Sequence, residues 1–520
     1  MLENQLILPF NLAFALPENA PVRLFADLIE HLSMREFHEY QNSVGRPPFP
    51  AKILVRIILF AHMLGISSSR AIEELCLYDL RFRWLLEGYK APEHSTISRF
   101  MSSDRLELFE DYFYQLIHLL FERGEIRLEN FFVDGTKLEA VSNRYSFVWK
   151  KSIQKHLGRL KEKALAFIRK LVDEGYFLGS YDEQTLSLPV LEKAYGLLDE
   201  VAKETRLEFV SGKGSRKTSL QRLIEEASQM IEKWYEYLTH LEILGDRNSY
   251  SKTDHEATFM RMKEDHMRNG QLKPGYNIQF AVEAGYVVGV LVNQQRTDQL
   301  TLVPLLEKLE KYLKTYPQKL ITDSGYESEY NYSKLDEWGI DAYITPLVHE
   351  QMKKAKFKNH IGKRENMTYI LEGDYYLCHQ KRKLSFTHTS IRKHISGYEV
   401  QVKNYKCETC SGCPVKPKCT RAEGDRSLSV SEKFDAYRKA SSGRITSQEG
   451  VILRVNRSIQ AEGAFAVLKD QLKLRRMTRR GLSGSQLQVL FFSLAMNLNK
   501  YISKALSGTS GQQLFFSRAA

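Results

Sequence analysis

The sequence predicts a mixed α/β protein in which a helical N-terminal region precedes a sheet that two insertions interrupt. Three observations predict the sheet. Two short runs of β-favouring residues, 131–133 and 319–322, each lead directly into an aspartate, and residues 276–292 alternate like a β-hairpin. Much of the remaining chain has apolar residues at helical spacing. At 520 residues the chain is too long for one ordinary core, so several domains or large insertions are expected.

The composition is that of a globular protein with a surplus of basic residues. Hydrophobic residues make up 43% of the chain and charged residues 27%, proportions that exclude an intrinsically disordered chain. Lysine and arginine outnumber aspartate and glutamate by 75 to 63, so the net charge is +12. This surplus favours a polyanionic partner, because cationic side chains release condensed counterions from a nucleic-acid backbone. Charge alone leaves open a merely basic soluble protein.

The sequence predicts neither a membrane span nor a secretory signal. The longest apolar run, 53–66, is shorter than the ~18 continuous apolar residues of a span, and Arg56 and His62 interrupt it. No lysine or arginine precedes Arg23, so the basic start of a signal peptide is missing. We therefore expect a cytoplasmic protein, in which clustered cysteines indicate a metal site more than disulfides.

The N-terminal region is predicted to be helical. Apolar residues recur at helical spacing in 22–33, 51–64 and 70–77, and a proline-rich break at 46–50 precedes the second of these segments. A further helix is predicted to begin near His94, with serine, threonine and arginine in its first turns. Such a unit resembles a helix-turn-helix, in which small polar residues meet phosphates and base edges. An ordinary helical bundle is an equally good interpretation.

Two predicted strands each end in an aspartate. The first leads into Asp134 and Gly135, and the second leads into Asp323, with Gly325 two positions later. For one such strand, the simplest interpretation is that the aspartate and glycine begin a turn. A buried carboxylate is costly unless a cation meets it. The repeat of the pattern therefore favours a site in which two aspartates at two strand ends bind a divalent metal ion.

More than a hundred residues of mostly helical character separate the first strand from the hairpin. Residues 141–273 are therefore interpreted as an insertion, with amphipathic helices at 151–172 and 220–244. After the hairpin we predict helices at 299–314 and 329–338, and a strand at 340–344.

A predicted helical segment near the C-terminus carries three charged residues whose spacing determines which of them share a helix face. Within 450–473, five positions separate Arg457 from Glu462 and seven separate Glu462 from Lys469, so the lysine lies on the glutamate's helix face and the arginine is offset. Taken alone, this is a solvated charged face. An apolar helix is predicted at 487–498. Between the two helices lies the densest basic run of the chain, with Lys473, Arg475, Arg476, Arg479 and Arg480.

Four cysteines form the most specific local motif. Their spacing, C-x2-C-x2-C-x5-C, is able to wrap one tetrahedral Zn2+ ion. This zinc would be structural, because four thiolates leave no position open for water. An iron–sulfur cluster and free thiols are the alternatives, and Cys378 and His379 lie too far away in sequence to be assigned. The motif consists of Cys407, Cys410, Cys413 and Cys419.

Five sequence segments together resemble a known family. In chain order they are "RPPFPAKILVRIILF", "FFVDGTKLEA", "GYNIQFAV", "ITDSGYESEYNY" and "NRSIQAEGAFAVLK". They resemble bacterial insertion-sequence transposases of the Asp-Asp-Glu class, and the resemblance covers nearly the whole chain. Each segment alone is weak, but together and in this order they are specific.

The resemblance implies an RNase H-like core in which Asp134, Asp323 and Glu462 hold two Mg2+ ions. Hard oxygen ligands suit Mg2+, and two metal ions activate the attacking oxygen and stabilise the leaving one in a displacement at phosphorus. In related transposases an arginine and a lysine beside the glutamate contact DNA. Lys469 matches that placement, whereas Arg457 stands one residue farther from the glutamate than the commonest family spacing, and Val455 occupies the position of the usual tyrosine.

The resemblance also implies partners and a domain order. The partners are double-stranded DNA, as terminal inverted repeats and as target, and a second copy of the chain, because an element has two ends to bring together. The protein would act in the bacterial cytoplasm at the nucleoid. The predicted division is a helical DNA-binding domain at 1–125, the RNase H-like core at 126–140 with 274–350 and 450–505, a helical insertion at 141–273, a cysteine-containing insertion at 351–449 and a flexible tail at 506–520.

Other functions remain possible for this sequence. A metal-dependent nuclease would need the same acids, but the helical N-terminal region and the basic run argue against it. A zinc-containing DNA-binding regulator, or a transposase copy that binds DNA without cutting it, is the non-enzymatic alternative.

Overall fold

The computed structural model describes residues 15–35, 37, 49–178, 181–182, 186–212, 216–262 and 270–512. Most of the predicted break at 46–50 and most of the predicted tail lie outside these residues. The chain divides into two compact units, Met1–Glu139 with Tyr276–Ala520, and Ala140–Gly275. Among the described residues, no helix combines the length and the apolar character that a membrane span requires.

The N-terminal part of the first unit is helical. The predicted helices at 22–33, 51–64 and 70–77 occur with slightly different ends, and α6 is a long buried helix that the sequence did not predict. The helices are α1 (Pro21–Glu30), α2 (Ala51–Met63), α3 (Ser69–Tyr78), α4 (Leu80–Leu85), α5 (His94–Phe100) and α6 (Leu106–Glu122), and the strand β1 (Asn130–Glu139) follows them.

The second unit is a helical body with short strands. Its helices enclose a core of apolar residues that includes Phe167, Leu191, Ile224 and Trp234. Strands β2 and β3 pair antiparallel, and β4 pairs antiparallel with residues 272–275. The elements are β2 (Phe147–Trp149), α7 (Lys150–Asp173), α8 (Leu188–Glu204), α9 (Ser219–Leu244), β3 (Ser249–Ser251) and β4 (Thr258–Arg261).

The chain then builds the sheet of the first unit. The strand order is β5, β1, β7, β8, and β6 pairs with β5 as an antiparallel hairpin. Strands β1, β7 and β8 run parallel to one another. This sheet and its helices confirm the predicted mixed α/β class and agree with the fold of an RNase H-like core. The elements are β5 (Leu272–Glu283), β6 (Tyr286–Asn293), α10 (Leu302–Leu313), β7 (Lys319–Thr322), α11 (Glu329–Glu337) and β8 (Asp341–Ile344).

A separate five-stranded antiparallel sheet follows and carries the cysteine motif. Its order is β13, β12, β11, β10, β9. The elements of this region are α12 (His349–Met352), α13 (Ala355–Lys358), β9 (Thr368–Ile370), β10 (Tyr375–Leu377), β11 (Lys383–Lys393), β12 (Glu399–Cys407), α14 (Lys416–Cys419) and β13 (Ser427–Val430).

The C-terminal helices return to the main sheet. The predicted helix over 450–473 is not a continuous α-helix, because two π-helical turns, Ser458–Glu462 and Val467–Gln471, interrupt it. The long helix α18 is buried along most of its length and contacts β6, α2 and α6. The helices are α15 (Glu432–Thr446), α16 (Gln448–Arg457), α17 (Gly463–Ala466) and α18 (Leu482–Ser507).

Candidate active site

The two predicted aspartates lie on neighbouring parallel strands. Phe132 of β1 pairs with Ile321 of β7, and each aspartate follows its paired residue by two positions. Asp134 and Asp323 therefore come side by side, since adjacent strands lie ~4.8 Å apart. One expectation is wrong. Asp134 does not end a strand, because β1 continues to Glu139 beside β5, and the carboxylate projects from the strand interior.

Glycines allow close approach around both carboxylates. The Asp134 Oδ1 atom accepts a hydrogen bond from the Gly135 N–H at 2.8 Å, and the Asp323 Oδ1 atom accepts one from the Gly325 N–H at 2.8 Å. A Cβ atom at position 135 would stand 2.3 Å from Gln279 Nε2. Any larger residue at position 135 would displace the Gln279 amide, so glycine leaves room for that amide.

A further carboxylate, Asp298, lies at this site and was missed in the sequence. A Cβ atom at Gly325 would stand 3.0 Å from Asp323 Oδ1 and 3.3 Å from Asp298 Oδ2, so both carboxylates approach the same glycine. Asp298 Oδ1 accepts hydrogen bonds from Asn277 Nδ2 at 2.7 Å and from Gln279 Nε2 at 3.0 Å. The only sequence signal was an acid after the second hairpin strand, a position that also suits an ordinary helix start.

Tyr326 lies among these acids. Its buried hydroxyl donates a hydrogen bond to Gln279 Oε1. Burial raises the pKa of Tyr326 well above its usual value, and the negative charges of Asp298, Asp134 and Asp323 raise it further. The tyrosine therefore stays protonated and acts as a hydrogen-bond donor.

The segment that carries Glu462 packs directly under the two aspartate strands. Ala461 belongs to one buried cluster with Phe132 and Ile321, the two residues that pair across β1 and β7. The glutamate itself is more than half exposed, and the Arg457 Nη2 atom lies 3.2 Å from its Oε1 atom. Arg457 also lies close enough to Tyr326 to lower the pKa of that hydroxyl. Arg457 thus pairs with Glu462 and lies near Tyr326.

Two family models match the chain. The model described as Transposase DDE domain matches residues 377–502, and the model described as Transposase domain (DUF772) matches residues 10–103. Both models describe transposase domains, and together they support an insertion-sequence transposase of the Asp-Asp-Glu class. The first match includes Glu462, whereas Asp134 and Asp323 precede it. No curated protein and no solved structure matches this chain.

The basic run of the transposase divides into exposed and inward-facing side chains. Lys469 is half-buried in the second π-helical turn. Arg475 pairs with Asp470 at 2.6 Å, and Arg476 approaches Glu139 at 3.8 Å. Arg479 is turned inward, where its Nη1 atom donates to the Met101 carbonyl and burial lowers its pKa. The exposed cations are Lys473, Arg475, Arg476 and Arg480.

The chemistry of the three aspartates suits a hard cation, but their arrangement does not yet form a metal site. Asp134, Asp298 and Asp323 offer carboxylate oxygens, the donors that Mg2+ prefers. Within the described ranges, however, no group of three or more histidine, cysteine, aspartate or glutamate side chains is already arranged to hold a metal ion. Glu462 instead pairs with Arg457 through one carboxylate oxygen, Oε1.

The four motif cysteines line one small cavity in the antiparallel sheet region. Cys378, which the sequence left unassigned, lines the same cavity together with His379. A basic pocket lies beside it and shares Cys419 and Arg426 with it. Its basic lining residues are His360, Lys363, Arg364, Lys418, Arg421 and Arg426, and no acidic residue of the described part of the chain lines it.

Proposed function

We propose that this transposase cuts DNA at the ends of an insertion sequence and joins those ends to target DNA. The observation that carries the proposal is the register of β1 and β7, which sets Asp134 beside Asp323 above the segment that bears Glu462. Two Mg2+ ions bound by these three carboxylates would activate the attacking oxygen and stabilise the leaving oxygen.

The protein's own groups orient the site before DNA arrives. Asn277 and Gln279 hold one oxygen of Asp298, while Tyr326 holds the other end of the Gln279 amide. These bonds fix the side chains that surround Asp134 and Asp323, which matters because misplacement of reacting groups by ~1 Å costs about 100-fold in rate. Asp298 is thus a positioning residue, and Asp134, Asp323 and Glu462 are the catalytic residues.

DNA would approach along the cationic surface. Arg457 stands beside Glu462 and would contact the phosphate near the cut, with Lys469 on the same helical segment. The exposed Lys473, Arg475, Arg476 and Arg480 would contact the backbone, where cations provide affinity without reading sequence. Arg479 would support this segment from inside through Met101. The basic pocket that contains Lys418 and Arg421 offers a second phosphate-binding surface.

We also propose that domain boundaries lie near residues 125, 140, 273, 350, 450 and 505. The protein would act as a homodimer that joins two element ends, in the bacterial cytoplasm at the nucleoid. The clustered cysteines would bind a structural Zn2+ ion. The zinc would take no part in the reaction, because four thiolates leave no position open.

The test is cleavage and joining of labelled DNA that carries the ends of the element encoding this chain. The wild type is compared with Asp134→Asn and Asp323→Asn in Mg2+, with Asp336→Asn as a matched control, since Asp336 is an exposed acid of α11. We expect cutting and joining by the wild type and the control only, with DNA binding retained in all four proteins. Full activity of either aspartate variant would refute the assignment.

A further inference from the structure

Five of the six cysteines of the chain line one cavity. They come from three places, namely the end of β10, the end of β12 with the loop after it, and α14. The sixth cysteine, Cys76, is distant in sequence and lies on the buried face of α3, in the N-terminal helical part. Among the described residues no acidic side chain lines the cavity, and the cations that line it are Arg382, Lys416 and Arg426. The five thiols are Cys378, Cys407, Cys410, Cys413 and Cys419.

The sheet register explains why Cys378 reaches the motif. Leu377 pairs with Lys383 across β10 and β11, and the next residue, Leu384, pairs with Cys407 across β11 and β12. Cys378 and Cys407 therefore lie at the same end of the sheet, on strands that flank β11. The turn after Cys378 is tight, because Cys378 N donates to the Arg382 carbonyl at 3.0 Å.

An arginine fastens this turn to the cysteine loop. Arg382 Nη1 donates to the Thr409 carbonyl at 2.8 Å and to the Ser411 carbonyl at 3.2 Å, on either side of Cys410. The two chain segments that supply the thiols are thus held together by the protein itself. Hydrogen bonds from Arg382, which lies outside the cysteine motif, therefore keep Cys378 close to the motif cysteines.

The sulfur atoms have donors of the kind that thiolates accept. The Arg426 backbone N–H donates to Cys410 Sγ at 3.3 Å, and the Cys410 N–H is held by Asp425 Oδ1 at 2.8 Å. The buried Arg426 Nε atom has no hydrogen-bond partner among the described residues. N–H donors to a sulfur atom are a common outer-shell feature of metal–thiolate sites, where they orient the ligating side chain.

We infer that Cys378 is a ligand of the Zn2+ site, so that the site joins two distant parts of the chain. Cys378, Cys407 and Cys410 would supply three sulfur atoms and the segment 413–419 the fourth, which completes a tetrahedral set. Among the described residues no three such side chains are already arranged around a metal ion, so the sulfur atoms would have to turn toward a common centre. A cysteine side chain can do this through its single heavy-atom torsion. The inference rests on the proposed zinc site and is independent of DNA cutting.

Differential alkylation of the wild-type full-length protein tests this assignment without a mutation. The purified protein is loaded with Zn2+, treated with an alkylating reagent before and after chelation, and analysed by mass spectrometry of its peptides. We expect Cys378, Cys407 and Cys410 to be protected with Zn2+ and labelled after chelation, whereas Cys76 is unaffected by chelation. Labelling of Cys378 that is equal with and without Zn2+ would overturn its assignment, even if zinc is bound elsewhere in the cavity.

Metal content gives the second arm. We expect one zinc ion per chain for the wild type and for Cys76→Ser, and affinity at least ~10-fold weaker for Cys378→Ser in chelator competition, since removing one thiolate breaks the four-ligand set. A protein that binds no zinc under reducing conditions, or that contains iron and sulfide instead, would overturn both the zinc site and the role of Cys378. None of these readouts depends on transposition, so each outcome is separate from failure of the proposed function.

Discussion

Arg457 faces Glu462 across a π-helical turn, with Nη2 and Oε1 separated by 3.2 Å. On a regular α-helix, residues five positions apart point in different directions, but a π-helical turn has a longer repeat and brings such residues together. The extra residue between Arg457 and Glu462, relative to the commonest family spacing, is thus accommodated by local backbone geometry. π-Helical turns of this kind are frequent at functional sites.

Loss of Arg457 should impair cutting more than binding. In Arg457→Ala we expect the rate of strand cleavage to fall about 100-fold, the size of effect seen when one group that stabilises transition-state charge is removed. Binding to the element ends should weaken only slightly, because other cations remain. Cleavage kinetics and a gel-shift titration measure the two effects. Lys334→Ala, which removes an exposed ion pair with Glu337, is the matched control. Equal losses in cleavage and binding would contradict this role.

Removal of the Asp298 charge should weaken metal use at the site. In Asp298→Asn we expect the Mg2+ concentration for half-maximal cleavage to rise by about 10- to 100-fold, as for groups that orient metal ligands. The measurement is a Mg2+ titration of cleavage. Thermal unfolding should change little, because the amide still accepts from Asn277 and Gln279. An unchanged Mg2+ dependence would show that Asp298 has only a structural role.

The chain that enters β1 is held by a buried carboxylate. The two oxygens of Glu283 accept hydrogen bonds from the backbone N–H groups of Arg127, Leu128, Glu129 and Asn130. In Glu283→Gln we expect the free energy of unfolding to drop by roughly 2–3 kcal/mol, because one end of the amide donates and leaves buried N–H groups unpaired. Urea unfolding measures the change.

The control for that substitution is Glu122→Gln at the exposed end of α6. It should leave the unfolding midpoint nearly unchanged, since surface substitutions usually alter stability by less than about 0.5 kcal/mol. Equal midpoints for the two variants would contradict the anchoring role of Glu283.

His62 should make the fold sensitive to acid. Burial lowers the pKa of His62 from 6.5 to about 4, while its Nδ1 atom hydrogen-bonds to the Ile58 carbonyl at 2.7 Å. Between pH 6.5 and about pH 4, His62 is protonated in the unfolded chain but stays neutral in the folded chain. The free energy of unfolding therefore decreases as the pH is lowered through this window. A shift of this size corresponds to roughly 3 kcal/mol.

Substitution of His62 isolates this contribution. In His62→Phe, which keeps an aromatic ring beside Phe491 and Phe492, the loss of stability between pH 6.5 and 4 should shrink by about that amount. Chemical unfolding at a series of pH values measures it. His388→Phe on the exposed strand β11 should retain the wild-type dependence, and identical slopes in all three proteins would exclude His62 as the source.

The sequence predicted elements whose residues are apolar and buried along most of their length. The hairpin of β5 and β6, the strands before Asp134 and Asp323, and α2 are of this kind, so each contains a run of apolar residues that the sequence displays directly. The antiparallel sheet was not predicted. Strand β11 exposes nearly every side chain, so it has no hydrophobic alternation to detect.

The site was predictable only where its residues follow local rules. Asp134 and Asp323 each follow a short run of β-favouring residues, although only Asp323 ends its strand. The cysteine motif has metal-like spacing. Asp298 and Cys378 have no such signal, because their positions depend on sheet pairing between residues distant in sequence. The π-helical turn was also hidden, since the residues from 450 to 473 suit a regular α-helix equally well.

The central claim is that Asp134 and Asp323 ligate the metal ions of the reaction. The most direct measurement is cleavage of labelled element ends by Asp323→Cys in Mg2+ and in Mn2+, beside wild type and Asp323→Ala. Mg2+ takes oxygen ligands, whereas a transition-metal ion tolerates sulfur better. We predict that Asp323→Cys is inactive in Mg2+ and regains cleavage in Mn2+, while Asp323→Ala is inactive in both. Equal activity of Asp323→Cys and Asp323→Ala in Mn2+, or wild-type activity of either in Mg2+, would contradict the metal-binding role of Asp323.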